Sequence, residues 1–293
     1  MKQINTCPVC NKGKFSPFLN CVDYTVSRET FSIVSCNGCG FKFTNPRPAD
    51  ADLGKYYKSD NYISHSNTKK GIVNYLYQVV RKHTLEKKLS LVNSLGSKGK
   101  ILDVGCGTGE FLSICKRGGW ETLGIEPDQD AKALGIKNYG LSVLQETALK
   151  TLPESSFDII SMWHVLEHVP NLNERLRDLK KILKPGGSII VAVPNCSSKD
   201  ALRYKQFWGA YDAPRHLWHF TPKDIQAIFS EQGMRVDRIL PMKFDSFYIS
   251  LLSEKYKTGN ANLFSGFLSG LSSNMAASKT GNTWSSQIYI IKK

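Results

Sequence analysis

From Gly99 onward, short apolar runs alternate with stretches in which apolar residues recur every three or four positions. The first pattern fits buried strands and the second fits helices that cover them. The spacing predicts strands near 100–104, 120–125, 141–144, 157–162 and 187–193, and helices near 109–118, 128–138, 171–183 and 222–232. Strands and helices in strict alternation imply a parallel sheet with helices on both faces, and a ligand at the carboxyl ends of its strands. Upstream, Ile72, Val73, Leu76, Val79, Val80, Leu89 and Val92 form the apolar side of one more helix. Phe41 to Pro48 holds two prolines, reads as extended, and marks a boundary. The resulting division is a module over 1–48, a connector and lid helix over 49–98, and a main domain over 99–293. In the connector, the polar Ser64 to Lys70 stretch is suited to act as a lid.

The first strand of the main domain, Ile101-Leu102-Asp103-Val104, runs directly into Gly105-Cys106-Gly107-Thr108-Gly109 and then a helix. Residues without Cβ permit a tight turn and close approach of a ligand to the backbone, beside the unpaired N–H groups of a helix start. A carboxylate, Glu126, ends the second strand 21 residues after Gly105, where it can accept both hydroxyls of a ribose. The dinucleotide fingerprint G-x-G-x-x-G is not met, because Glu110 stands where its third glycine would be.

Cys7-Pro8-Val9-Cys10 and Cys36-Asn37-Gly38-Cys39 are two C-x-x-C turns, each able to place two thiolates on one ion. Tetrahedral Zn2+ is the expected occupant, and four protein ligands leave no open position, so the expected role is structural. Cys21, Cys106, Cys115 and Cys196 are left for packing. The start of the chain has no apolar signal core, and no run of about 18 apolar residues could span a bilayer. A cytoplasmic protein is the corresponding expectation, in which eight cysteines serve as ligands or small hydrophobes and not as disulfides.

The run from Asp103 to Gly109, Gly124-Ile125-Glu126-Pro127-Asp128, Phe157-Asp158-Ile159-Ile160 and Leu183-Lys184-Pro185-Gly186-Gly187 together resemble the ordered motifs of class I S-adenosylmethionine-dependent methyltransferases. The resemblance implies a seven-stranded, mostly parallel Rossmann-like sheet, closed by an antiparallel hairpin of 234–243 and 286–292. It also implies a cofactor site. Asp103 would orient the glycine loop or receive the methionine amino group, Gly105, Cys106 and Gly107 would form the turn, and Glu126 would take the ribose. Glu146 would lie near the adenine amine, with Trp163 and His164 along the methionine portion. An insertion at about 245–284 exceeds what a minimal domain needs. Leu263, Phe264, Phe267, Leu268 and Leu271 suggest a partly buried helix there that covers the substrate; the few cations on its polar side disfavour a membrane anchor.

Methyl transfer to a hydroxyl or a carbon acid also needs a base, and histidine suits that task near neutral pH. Four of the six histidines fall in two segments after strands, His164 and His168 in one and His216 and His219 in the other. His168 and His216 also match a narrower resemblance, to deoxysugar C-methyltransferases with a four-cysteine zinc module, in which such histidines act in deprotonation. Tyr62 is the connector tyrosine expected at that site, with Tyr57 as its rival. Arg215 stands where those enzymes carry a glutamate, and suggests an anionic group in the acceptor. The expected activity is methylation of a small or carrier-linked acceptor, most plausibly a sugar or glycan precursor. The net charge of +14 keeps a second reading open, an rRNA or tRNA methyltransferase, although the lysines are dispersed. A non-catalytic scaffold that kept only the fold is a third.

Overall fold

The computed structural model describes residues 1–57, 72–281 and 283–293, and the side chains of its first long helix from Val80 onward. Tyr62 and the proposed lid Ser64 to Lys70 lie outside the described residues.

The N-terminal strands are β1 (Phe15–Val22), β2 (Thr30–Cys36) and β3 (Lys42–Thr44), followed by helix α1 (Ile72–Asn93). The main domain then runs β4 (Lys100–Val104), α2 (Glu110–Arg117), β5 (Glu121–Ile125), α3 (Gln129–Tyr139), β6 (Val143–Leu144), β7 (Phe157–Trp163), α4 (Leu172–Ile182) and β8 (Leu183–Pro194). It continues with α5 (Lys199–Tyr204), β9 (Trp218–His219), α6 (Pro222–Ser230), β10 (Arg235–Pro241), α7 (Asp245–Thr258), α8 (Leu263–Thr280) and β11 (Ser286–Lys292).

Seven strands form one sheet in the order β10-β11-β8-β7-β4-β5-β6. β4 pairs in parallel with β5 and β7, β5 with β6, and β7 with β8, while β11 runs antiparallel to both β8 and β10. This is the Rossmann-like sheet and closing hairpin that the motifs imply. The chain leaves β4 toward β5 and β6 and then returns to β7 on the other side. The carboxyl ends of β4 and β7 therefore flank the switch point where open α/β sheets bind ligands. Asp158, within β7, is structural: its carboxylate accepts from the Lys100 amide at 2.8 Å and from Lys184 Nζ at 2.7 Å.

The N-terminal module is stitched into this domain. β9 pairs with β3, so residues far along the chain complete a four-stranded sheet, β1-β2-β3-β9. Phe41 and Phe43 pack on Trp218 with ring centroids 6.1 and 6.2 Å apart, and Phe41 also meets Phe220 at 5.7 Å. One apolar cluster runs from Cys7, Val9, Cys36 and Phe41 through Trp218 to Leu102, Val104 and Ile160 of the main sheet.

The insertion is a helical hairpin of α7 and α8, but it is packed opposite to expectation. Its buried positions in α8 are Gly266, Ser269, Gly270, Ser273 and Ala277, whereas Leu263, Phe264, Phe267, Leu268 and Leu271 are exposed. A Cβ on Gly266 would stand 2.9 Å from Leu251 Cα, and one on Gly270 would stand 2.9 Å from Phe247 Cα. At Gly266 and Gly270 the two helices approach so closely that only small residues fit; beside them Phe267, though half-exposed, stacks on Phe247 with ring centroids 5.2 Å apart, and the other large residues are turned outward. No helix among the described residues is long and apolar enough to cross a membrane.

Candidate functional site

Asp103, the turn from Gly105 to Gly109 and Glu126, all picked out in the sequence, converge on the carboxyl end of the sheet. Gly105, Gly107 and Gly109 have φ of 72°, 54° and 81°, the left-handed region that L side chains rarely adopt. At Gly105 a side chain would also strike Val165, 2.5 Å away. At Gly107 it would meet nothing within 4 Å among the described residues, so none of them fills the turn there. Glu126 closes the turn, accepting from the Gly107 amide at 2.7 Å and from the Asp128 amide at 2.9 Å. Burial raises its pKa, against the pull of those two amides. Asp103 is buried under the turn and accepts from Ser161 Oγ at 2.6 Å; burial pushes it up to about 7, although Ser161 and the nearby Lys88 oppose this. Cys106 turns its thiol into the core beside Gly124 and Leu112, and only its backbone borders the turn.

Lys88 is a member of this site that sequence reasoning missed. Its ammonium lies 4.0 Å from the ring centroid of Trp163 and 5.8 Å from that of Phe111. Burial lowers its pKa, while the charges of Asp103 and Asp245 raise it. The signal was its position on α1, in register with Leu85, Leu89 and Val92, where an apolar residue would otherwise pack. Glu146 lies after β6 and is engaged by Arg175. Trp163 is the last residue of β7, and its Nε1, like Gln145 Nε2 after β6, is buried without a hydrogen-bond partner among the described residues. Buried polar atoms of this kind ordinarily find a partner. Two orphaned donors at strand ends on either side of β4 and β5, the two strands whose exits carry the glycine turn and Glu126, fit a polar ligand.

The histidines form a second cluster. Val165 packs against the glycine turn, and the loop that follows it carries Glu167 and His168. The Leu217 amide donates to the Glu167 carbonyl at 2.8 Å, and Trp218 Nε1 donates to the Val169 carbonyl at 2.6 Å. These bonds bring His216 beside His168, with ring centroids 4.6 Å apart. Each ring directs Nδ1 at a backbone carbonyl: His168 at Arg215, 3.0 Å, and His216 at Ala210, 2.8 Å. A carbonyl only accepts, so Nδ1 carries a proton, and an imidazole held this way keeps its lone pair on Nε2 whenever it is neutral. The Tyr57 hydroxyl also lies 2.9 Å from His168 Nδ1, so among the described residues the rival connector tyrosine reaches this site. Burial and the neighbouring His216 depress His168 to about 4, which keeps it neutral at pH 7.

Glu167 is fully buried, with Oε2 unpartnered and Oε1 3.3 Å from His164 Nδ1. The other ring nitrogen of His164 meets Asp245 of α7 at 3.0 Å. Burial alone would lower His164, but hydrogen bonds to Asp245 and Glu167 raise it to about 10, so it is held as a cation.

Two expectations are corrected. His219 is not a site residue: it is buried in the core, with Nε2 3.2 Å from Thr44 Oγ1. Arg215 is not free to bind an anionic acceptor. It is 1% exposed, and its donors go to Asp212 at 2.9 Å, to Asp23 at 3.0 Å and to the Tyr56 carbonyl at 2.9 Å. Its charge is spent on joining the N-terminal module to the histidine segment.

The four N-terminal cysteines do meet. Their sulfurs lie within 4.8 Å of one another, with Cys7 to Cys39 at 3.7 Å and Cys10 to Cys36 at 3.5 Å. Tetrahedral Zn–S bonds of about 2.3 Å place sulfurs about 3.8 Å apart, so the donor set fits. Burial works against ionising Cys36, but the amides of Cys39 and Gly38 and the adjoining thiols bring it down to about 7.

A methyltransferase-domain family model matches residues 77–239, more than half of the chain. The mitochondrial ubiquinone biosynthesis O-methyltransferase of Rattus norvegicus is 27% identical over 167 residues, which cover 50% of this chain and 48% of that protein. The ubiquinone biosynthesis O-methyltransferase of Rickettsia canadensis (strain McKiel) is 24% identical over 209 residues, covering 66% of this chain and 86% of that one. The chain thus spans about half the length of the mammalian relatives it matches. Among solved structures, a SAM-dependent methyltransferase from Archaeoglobus fulgidus superposes with a TM-score of 0.51 at 22% identity, over 73% of this chain and 94% of that one. Phosphoethanolamine N-methyltransferase 2 of Haemonchus contortus, in complex with S-adenosyl-L-methionine, superposes with a TM-score of 0.50 at 16% identity, over 71% and 52%. These two share the fold.

Proposed function

The chain belongs to the methyltransferase-domain family, with the class I S-adenosylmethionine-dependent fold, and from that premise we propose that it methylates a small or carrier-linked acceptor whose proton is removed by His168 and His216. The observation that carries this reading is the histidine pair itself, two rings 4.6 Å apart with both Nδ1 protons committed to carbonyls. Both Nε2 lone pairs are thereby left for an acceptor proton. Because the match spans only about half the length of its mammalian relatives, their acceptor is not carried over. Their naming as O-methyltransferases supports a hydroxyl acceptor, and the four-cysteine module supports a sugar or glycan precursor by resemblance.

S-adenosylmethionine, when bound, supplies an activated methyl group for in-line displacement. The residues present fit it. Gly107 gives the room, Glu126 has lone pairs for the ribose hydroxyls, and Asp103 with Ser161 offers an acceptor for the ammonium. Gln145 and Trp163 would place their orphaned N–H groups along its length. Val165 seals the glycine turn against the base loop, so binding and proton removal occur on adjoining walls. Tyr57 holds His168 in orientation, and Glu167 sits behind the pair as a buried anion, lowered by its bond to His164 although burial opposes this. Cys7, Cys10, Cys36 and Cys39 would hold Zn2+ in a closed structural site.

The test is to incubate cell extract with methyl-labelled S-adenosylmethionine and the chain, then fractionate the product. Label in soluble or lipid-linked saccharide supports the proposal, and label confined to RNA would replace it with nucleic-acid methylation.

A further inference from the structure

The outward face of α8 has no role in the site. Leu263, Phe264, Phe267, Leu268, Leu271 and Met275 are 68, 74, 53, 46, 39 and 59% exposed. At 100° per residue they occupy one arc of roughly 140°, outside the small residues that meet α7, with Phe267 also stacked on Phe247 of α7. Adjoining this arc are exposed Tyr248 on α7 and Leu202 on α5, which Lys199 ties to α8 by a 2.9 Å bond to Ser272. An apolar patch this size on a soluble surface marks a docking site. The patch is one side of a single helix, an exposed ridge along α8.

Its charge selects the occupant. From residue 246 to the end, Glu254 is the one acidic residue, and it is buried against the Tyr204 hydroxyl at 2.7 Å. Around the ridge stand exposed Lys255 and Lys257 at the hairpin tip, Lys279 at the far end of α8, and Arg203 and Lys205 beside it. Two copies pressed together on this face would bring like charges into contact. An anionic surface would be drawn to them.

We infer that the α7–α8 hairpin docks this protein on an anionic lipid bilayer, with the α8 ridge entering the headgroup boundary and the flanking cations meeting lipid phosphates. The few cations on the helix's own polar side had argued against this from sequence. They are supplied instead by neighbouring elements. The inference is independent of the catalytic reading.

Sedimentation of the full chain with vesicles tests it. We expect binding to vesicles of equal parts phosphatidylglycerol and phosphatidylcholine, and binding at least about tenfold weaker to phosphatidylcholine alone. The combined variant Leu263→Gln, Phe264→Gln, Leu268→Gln should weaken binding to the mixed vesicles at least about tenfold with an unchanged melting temperature, because all three side chains are exposed. If it melts lower, Phe264→Gln alone gives the same reading in smaller measure. Absence of wild-type binding, variant binding equal to wild type, or a wild-type dimer in equilibrium sedimentation that the variant abolishes without any vesicle binding would each overturn it.

Discussion

The glycine turn and the histidine pair adjoin in space but are assembled in opposite ways. The turn is local: Asp103, Gly105 and Gly107 come from one strand and its exit, and Glu126 from the next strand. The histidine pair is collective. His168 comes from the loop after β7, His216 from the segment before β9, and Tyr57 from the connector, while Arg215 ties that segment to Asp23 between β1 and β2. One side of the site is built to hold a cofactor by itself. The other, the proposed acceptor wall, is tied to the N-terminal module by the Arg215–Asp23 pair.

The strongest way to break this division is to remove one histidine. His168→Ala or His216→Ala should lower turnover by about a hundredfold to ten-thousandfold and leave cofactor affinity unchanged, as read by steady-state kinetics and calorimetry side by side. A change of only a few-fold in turnover would return both rings to packing roles.

Arg215→Leu asks whether the acceptor wall is held by charge. It would leave Asp23 and Asp212 buried or half-buried without their partner, a loss of about 3–5 kcal/mol for a broken buried pair, measured by urea unfolding. An unchanged midpoint would mean that the aromatic contacts alone carry the junction.

Metal removal sharpens the same point. Because Cys7 and Cys36 share an apolar cluster with Leu102 and Val104, stripping Zn2+ should lower a single melting transition by about 5–10 °C. Two separate transitions would show the module to be independent.

The smallest expected effect is in pH. His168 is held near 4 in the folded chain against its ordinary 6.5, so the unfolded chain binds the extra proton between those values. Its contribution is complete above pH 6.5 and is lost as pH falls toward 4. Asp103, raised to about 7, acts with the opposite sign across the same window. The difference in melting temperature between wild type and His168→Asn isolates the histidine: it should shrink as pH falls from 6.5 to 4, and a constant difference would contradict the assignment.

The same contrast explains what could be read from sequence. β4 through β8, their helices and the glycine turn were legible because strand, turn and helix are set by residues a few positions apart. Lys88 sits in the apolar register of α1, but a single charge at such a position does not by itself say that it faces a site. Arg215 looked available because neither Asp23 nor the Tyr56 carbonyl is near it in the chain. α8 was read with its sides reversed. A period of three to four marks a two-faced helix, but it does not say which face is buried; here Gly266 and Gly270 decide it by admitting the backbone of α7.

Calorimetric titration of S-adenosylmethionine into wild type, Glu126→Ala and His216→Ala tests the division most directly. The account predicts binding to wild type, equal affinity in His216→Ala, and at least about tenfold weaker binding in Glu126→Ala, the scale of a lost hydrogen bond to a charged group. No heat with wild type, or equal weakening in both variants, would contradict it.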